Sequence, residues 1–159
     1  MFAVGLAVGN IANSDLVGRQ LTANAAPAAP TTINTQLAVG MHPAEVLRVL
    51  DGDTFEARVR VWPGLDITTK IRLRSIDAPE LKAHCADERS RAEAARDALK
   101  MMLAEGGVAV SHVGLDKYGG RVLADAATRA TPDIGTAMLA KGLARAYGGG
   151  HRESWCNGT

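Results

Sequence analysis

The run Ile71-Arg72-Leu73-Arg74-Ser75-Ile76-Asp77-Ala78-Pro79-Glu80 constrains this chain more than any other stretch. Ile71 and Leu73 alternate with Arg72 and Arg74, the period-two pattern of a half-buried strand. Pro79 stops it, because proline has no N–H to give a ladder. Just past the strand stand two carboxylates, Asp77 and Glu80, within reach of the arginines. In a flat strand Arg72 and Asp77 would face opposite ways. A bulge or bend near Ser75-Ile76, where the alternation slips, could bring them to one site. Taken alone, the stretch also reads as a polar edge strand running into a turn.

The surrounding pattern supplies the rest of a small β-rich domain. Residues 44–50 read as a first strand, and Asp51-Gly52 is a hairpin signal. Residues 54–62 alternate clearly, with Phe55, Ala57, Val59 and Val61 inward and Glu56, Arg58 and Arg60 outward. Pro63-Gly64 turns the chain into a third strand over 67–76, completing a meander. Residues 87–104 have helical spacing, with Ala92, Ala95, Leu99 and Met102 on one stripe and Gly106-Gly107 as the stop. Two short strands follow, at 108–113 and 122–127. Thr131-Pro132-Asp133 then opens a second helix with a capping hydroxyl, a proline at the first position and an acid in the first turn. That helix ends around Gly142. The expected fold class is α+β, a five-stranded OB-fold β-barrel with two to three helices. Element order alone leaves other α+β arrangements open.

At 159 residues the chain fits one domain plus some tail. Lys and Arg (18) nearly balance Asp and Glu (17), which leaves +1. Recognition of an anion must therefore be local, made by a few placed cations rather than by a basic coat. Residues 1–20 read as a truncated signal or membrane anchor, 21–40 as an Ala/Pro/Thr-rich linker, and 41–159 as the folded domain. The two cysteines, Cys85 and Cys156, are too few for a disulfide scaffold. A bridge between them would tie the carboxyl-terminal tail to the helix start, if the compartment is oxidising. A Cys/His zinc site is arithmetically open, although adjacent His84 and Cys85 make awkward co-ligands.

Strand parity places further carboxylates. Asp53 shares parity with Phe55 and Ala57, at the first residue of the second strand, and Asp77 shares parity with Ile71 and Leu73. In a meander the start of strand two lies beside the end of strand three, so both aspartates reach one mouth of the barrel. Hard oxygen ligands of this kind favour Ca²⁺ or Mg²⁺ over zinc or copper. For Asp53 alone, a turn residue bonding its own backbone is the simpler account. Counted together, Asp53, Asp77 and Glu80 with Arg72 and Arg121 sum to −1, and one divalent cation turns the site to +1. That charge attracts a phosphodiester, and the planar forks of the two arginines match phosphate geometry. Glu80, offset from the aspartates, is placed to orient or deprotonate a water. Trp62 and Trp155 read as packing residues, and Tyr147 as a base-stacking or rim residue.

Four segments together resemble the thermonuclease family, the staphylococcal-nuclease-like domains. They are Asp51-Gly52-Asp53-Thr54, Ile71-Arg72-Leu73 with Ile76-Asp77-Ala78-Pro79-Glu80, Asp116-Lys117-Tyr118-Gly119-Gly120-Arg121, and Gly142-Leu143-Ala144. They follow the family's order and spacing across nearly all of 41–147. The resemblance implies Ca²⁺ held by Asp53, Asp77 and the carbonyl of Ala78, with Glu80 as candidate base. It implies Arg72 and Arg121 as stabilisers of the transition state, and Lys117, Tyr118 and Tyr147 as nucleotide contacts. The implied activity is Ca²⁺-dependent cleavage of single-stranded or frayed DNA and RNA by in-line attack of water, leaving 3′-phosphates. The alternative is a non-catalytic nucleic-acid-binding OB module, as in members that lost the acidic set. The expected protein is a monomer with no protein partner, either secreted, periplasmic or membrane-anchored facing outside. Three features depart from the best-known member: the extra glycine before Arg121, a shorter region after Ala144, and the paired cysteines.

Overall fold

The computed structural model describes residues 40–117 and 119–156, which lie within one compact unit, Gln36–Thr159. The signal or anchor and nearly all of the linker read from the sequence fall outside the described residues, as does Tyr118. No helix among the described residues is long and apolar enough to cross a membrane.

Five strands close into a barrel in the order β1-β2-β3-β6-β5, formed by β1 (His42–Asp51), β2 (Thr54–Trp62), β3 (Leu65–Leu73), β5 (Ala109–Leu115) and β6 (Arg121–Ala127). Neighbours pair antiparallel except β3 and β6, which run parallel with Lys70 opposite Arg121 and Leu73 opposite Ala124. Closure comes from β1 on β5, His42 opposite Val110. Register shifts at Val46/Arg48 and Val49/Asp51 in β1 add the bend that closure demands. This is the OB-type barrel expected from the element order, with two α-helices among the described residues. The parity reading of β2 holds: Phe55 and Ala57 are fully buried and Val59 nearly so, joined by Ile71, Leu73, Val110 and Ala124.

Helix α1 (Ala86–Leu103) seals the barrel with the stripe Ala92, Ala95, Leu99 and Met102, all buried. Its first turn carries Asp87 and Glu88, its last turn Lys100, each sign matching the helix dipole. The Cys85 sulfur accepts the Glu88 N–H at the amino-terminal end. Gly52 shows how closely this helix is seated. A β-carbon there would come within 2.5 Å of the Ala95 Cβ and 2.9 Å of the Ala78 Cβ. Helix, β1–β2 turn and the segment after β3 thus meet at a residue without a side chain. Gly52→Ala should cost about 1–3 kcal/mol by overpacking, read as a lower urea midpoint. An unchanged midpoint would show that the three elements are not locked together there.

Two readings of the sequence need correction. The second helix, α2 (Ile134–Ala140), opens two residues later than Thr131: Asp133 is the cap, accepting the Thr136 N–H at 2.9 Å and the Thr136 hydroxyl at 2.7 Å. Those bonds stabilise the ionised form and hold the Asp133 carboxyl below its ordinary value. Thr131 instead donates its hydroxyl to Glu105, tying the loop to the end of α1. Trp62, read as a packing residue, is 70 % exposed at the tip of the β2–β3 hairpin, with Leu65 and Ile67 exposed beside it. There the hairpin runs past the reach of the barrel core, and alternation no longer implies burial.

Candidate active site

The third strand ends at Leu73, and Ser75 takes a left-handed backbone with φ 62°. That residue is the break in alternation anticipated near Ser75-Ile76. Beyond it, β4 (Ile76–Asp77) pairs with β7 (Arg145–Ala146), Asp77 lying opposite Arg145. The bend resolves the parity conflict. Arg72 donates to Asp53 Oδ1 at 3.0 Å and to Asp77 Oδ1 at 3.2 Å, with all three side chains almost fully buried. Asp53 also accepts the Thr54 hydroxyl at 2.8 Å and the Ala78 N–H at 3.0 Å. Burial pushes the Asp53 carboxyl above its ordinary value, while Arg72 and the Ala78 and Thr54 hydrogen bonds pull against it.

Asp51, read only as part of a turn, belongs to the same cluster. Burial raises its carboxyl, and the charges of Glu80 and Asp53 add to the rise. Glu80 sits on the loop after Pro79, its side chain about half exposed and its N–H donating to Glu88 Oε1 at 3.2 Å. That exposure leaves the carboxylate open to water. The acids therefore number four where three were counted.

The tail completes the site. Gly-rich and irregular by its sequence, it returns across the acids and is fastened by a Cys85–Cys156 disulfide with Cα atoms 6.0 Å apart. This closes the zinc option, since bridged sulfurs carry no thiolate to offer a metal. Trp155 is buried as expected, but it also donates its indole N–H to Asp77 Oδ2 at 3.2 Å, and the Arg145 guanidinium lies 3.7 Å over its ring. Arg152 bonds to Asp77 Oδ1 at 2.6 Å and to the Ala78 carbonyl at 2.9 Å, and pairs with Glu80. Burial alone would lower its pKa, yet the bonds and charges of Glu80 and Asp77 outweigh that and raise it. Asp51 adds one negative charge and Arg152 one positive, so the net charge counted from the sequence stays at −1.

A cleft of about 560 Å³ opens over this cluster, walled by Arg72, Glu80, Lys117, Arg121, Tyr147 and Arg152 among others. A cavity of that size suits a nucleotide-sized ligand. Arg121, at the start of β6, pairs with Asp116 and reaches the cleft. The extra glycine is absorbed locally: Gly119 and Gly120 both take φ 68°, and the Gly119 N–H bonds back to the Asp116 carbonyl. Tyr147 donates its hydroxyl to the Gly150 carbonyl at 2.8 Å and its N–H to the Ser75 carbonyl at 2.9 Å. Asp53, Asp77 and Ala78 are buried and form no part of the cleft wall.

The donor set itself tests the fit of a metal. Asp77 Oδ1, the Ala78 carbonyl and Glu80 supply hard oxygens to one partner, the Arg152 guanidinium, and Asp53 accepts the Ala78 N–H beside them. These are the ligands a divalent cation of the calcium type takes. The residues fit such an ion in kind and in charge, and a cationic group, the Arg152 guanidinium, lies against the same oxygens.

The family model described as staphylococcal nuclease homologue matches residues 70–155, from within the third strand to Trp155. No curated protein matches the chain.

Proposed function

The chain belongs to the staphylococcal nuclease homologue family, and from that premise we propose that it is a Ca²⁺-dependent phosphodiesterase acting on single-stranded or frayed DNA and RNA. What carries the reading is the Arg72 guanidinium bridging buried Asp53 and Asp77 at the floor of a cleft that Glu80 and Arg121 also line. Asp53, Asp77 and the Ala78 carbonyl would hold the cation. When bound, it would add positive charge beside the phosphate oxygens and lower the barrier to charge build-up there.

The chain's own groups would divide the remaining work. Arg72, fixed by two carboxylates, presents its guanidinium at the cleft without reorganising, which is where preorganised charge helps most. Arg121 enters the cleft from the neighbouring strand β6, paired with Asp116. Glu80, a half-exposed carboxylate on the cleft wall, would take the proton of the attacking water. Lys117 and Tyr147 would seat the phosphate and base that flank the scissile bond, and Tyr118 is assigned the same role from the family pattern. Water attacking in line with the 5′ oxygen leaves a 3′-phosphate.

The Cys85–Cys156 bridge supports placement in an oxidising compartment, secreted, periplasmic or tethered outside the membrane, where calcium is roughly millimolar. The test is digestion of single-stranded DNA with millimolar Ca²⁺, with and without a chelator. Cleavage should stop on chelation, and Glu80→Gln should lower the rate about 10²–10⁴-fold. A parent protein that binds oligonucleotides yet never cuts them would sink the catalytic reading in favour of a binding module.

A further inference from the structure

Arg152 is bonded to two of the three groups assigned to the metal and to the candidate base. It holds Asp77 Oδ1 at 2.6 Å, the Ala78 carbonyl at 2.9 Å, and Glu80. A calcium ion would take such oxygens at about 2.3–2.6 Å. Guanidinium nitrogens at hydrogen-bond distance compete with such an ion for the lone pairs of the same oxygens. The arginine is also tethered. Trp155 and Cys156 just beyond it are anchored by the Asp77 hydrogen bond, by Arg145 and by the disulfide. Tethering raises the local concentration of the guanidinium at the acids far above that of any free cation of equal affinity. On the other side of the residue the backbone is uncrowded, held at Gly150 by the Tyr147 hydroxyl. Gly149 and Gly150 precede it with positive φ and open space where a β-carbon would stand, and its own side chain is about one-third exposed beside the cleft.

We propose that Arg152 is the affinity-setting residue of the metal site: loading is an exchange in which its guanidinium leaves Asp77, Glu80 and Ala78 and turns into the cleft. The inference rests on the calcium-dependent reading above. It makes two features of the fold parts of one device. The disulfide and Trp155 hold the competitor in place, and Glu80 stays paired with an arginine until the cation arrives. Calcium then both completes the site and frees the base. The tail thereby sets a threshold concentration below which the acids stay neutralised from within.

Calorimetric titration of Ca²⁺ into the oxidised full chain and its Arg152→Gln variant tests this. Apparent affinity scales with the fraction of molecules whose site is open, so removal of a competitor present nine-tenths of the time tightens binding about tenfold. The variant should show that gain, and its calcium requirement for cleavage should fall in parallel. Without metal it should melt below the parent, because the acids lose a counter-charge, and saturating Ca²⁺ should narrow the gap. The C85S/C156S double variant, which frees the tail and keeps the arginine, should also bind calcium more tightly. Unchanged or weaker calcium binding by Arg152→Gln, with cleavage persisting in the parent, overturns the exchange and leaves the nuclease reading standing. If neither protein binds calcium or cuts DNA, the nuclease reading falls and the exchange falls with it.

Discussion

Arg72→Ala is expected to lower the cleavage rate about 10²–10³-fold, the usual cost of removing one preorganised donor from the charge that develops in the transition state. The same change should destabilise the domain by about 3–5 kcal/mol, because it leaves buried acids without their counter-charge. Both effects follow from one geometry. Arg72 spans Asp53 and Asp77, and the three side chains are 9 %, 4 % and 6 % exposed, so the weak energetics of surface ion pairs do not apply. Asp77 keeps Arg152 in the variant, whereas Asp53 loses its one arginine partner among the described residues. Urea unfolding in the presence of chelator isolates the stability effect from any bound metal. Arg72→Lys should recover much of the stability and little of the rate, since lysine restores the charge but not the two-pronged fork. Equal urea midpoints for parent and Arg72→Ala would mean that the bridge between the two aspartates holds nothing together.

The second large effect belongs to the disulfide. Cys85 and Cys156 are separated by 71 positions, and closing a loop of that length removes denatured-state entropy equivalent to about 4 kcal/mol in the chain-entropy model. Reduction, or the C85S/C156S double substitution, should therefore move the urea midpoint strongly downward. Native packing adds to the loss, because Trp155 next to the bridge is buried and bonded to Asp77. A reduced protein as stable as the oxidised one would indicate a tail held equally well by Trp155 and Arg145 alone.

These two effects come from regions that differ in how far they could be read beforehand. Arg72, Asp53 and Asp77 were legible as a group, since strand parity and a Pro-terminated strand bring them to one end of the barrel. The bend that unites them falls at Ser75, where the hydrophobic alternation slips. Glu80 and Arg121 were legible through motif order and spacing, and both line the cleft. Asp51 was masked by its place in a hairpin signal, although its separation from Asp53 by one glycine already put two acids on one turn. Arg152 was missed altogether. Its neighbours Gly148-Gly149-Gly150 read as loose chain, and the useful signal was the cysteine four residues later with a distant partner at the head of a helix.

What the sequence by itself determined was whatever repeats at short range: the alternation that buries Phe55 and Ala57, the stripe that seats α1, and the acids at strand ends. Such patterns act between residues a few positions apart, where backbone geometry dictates direction. The tertiary structure alone decided that Asp133 rather than Thr131 caps α2, that Trp62 lies outside the core, and that Arg152 lies against the carboxylates. Each of those depends on which distant segment arrives alongside, and on how long the neighbouring elements run before they turn. For Arg152 that arrival spans more than seventy positions, a distance over which no local periodicity carries information.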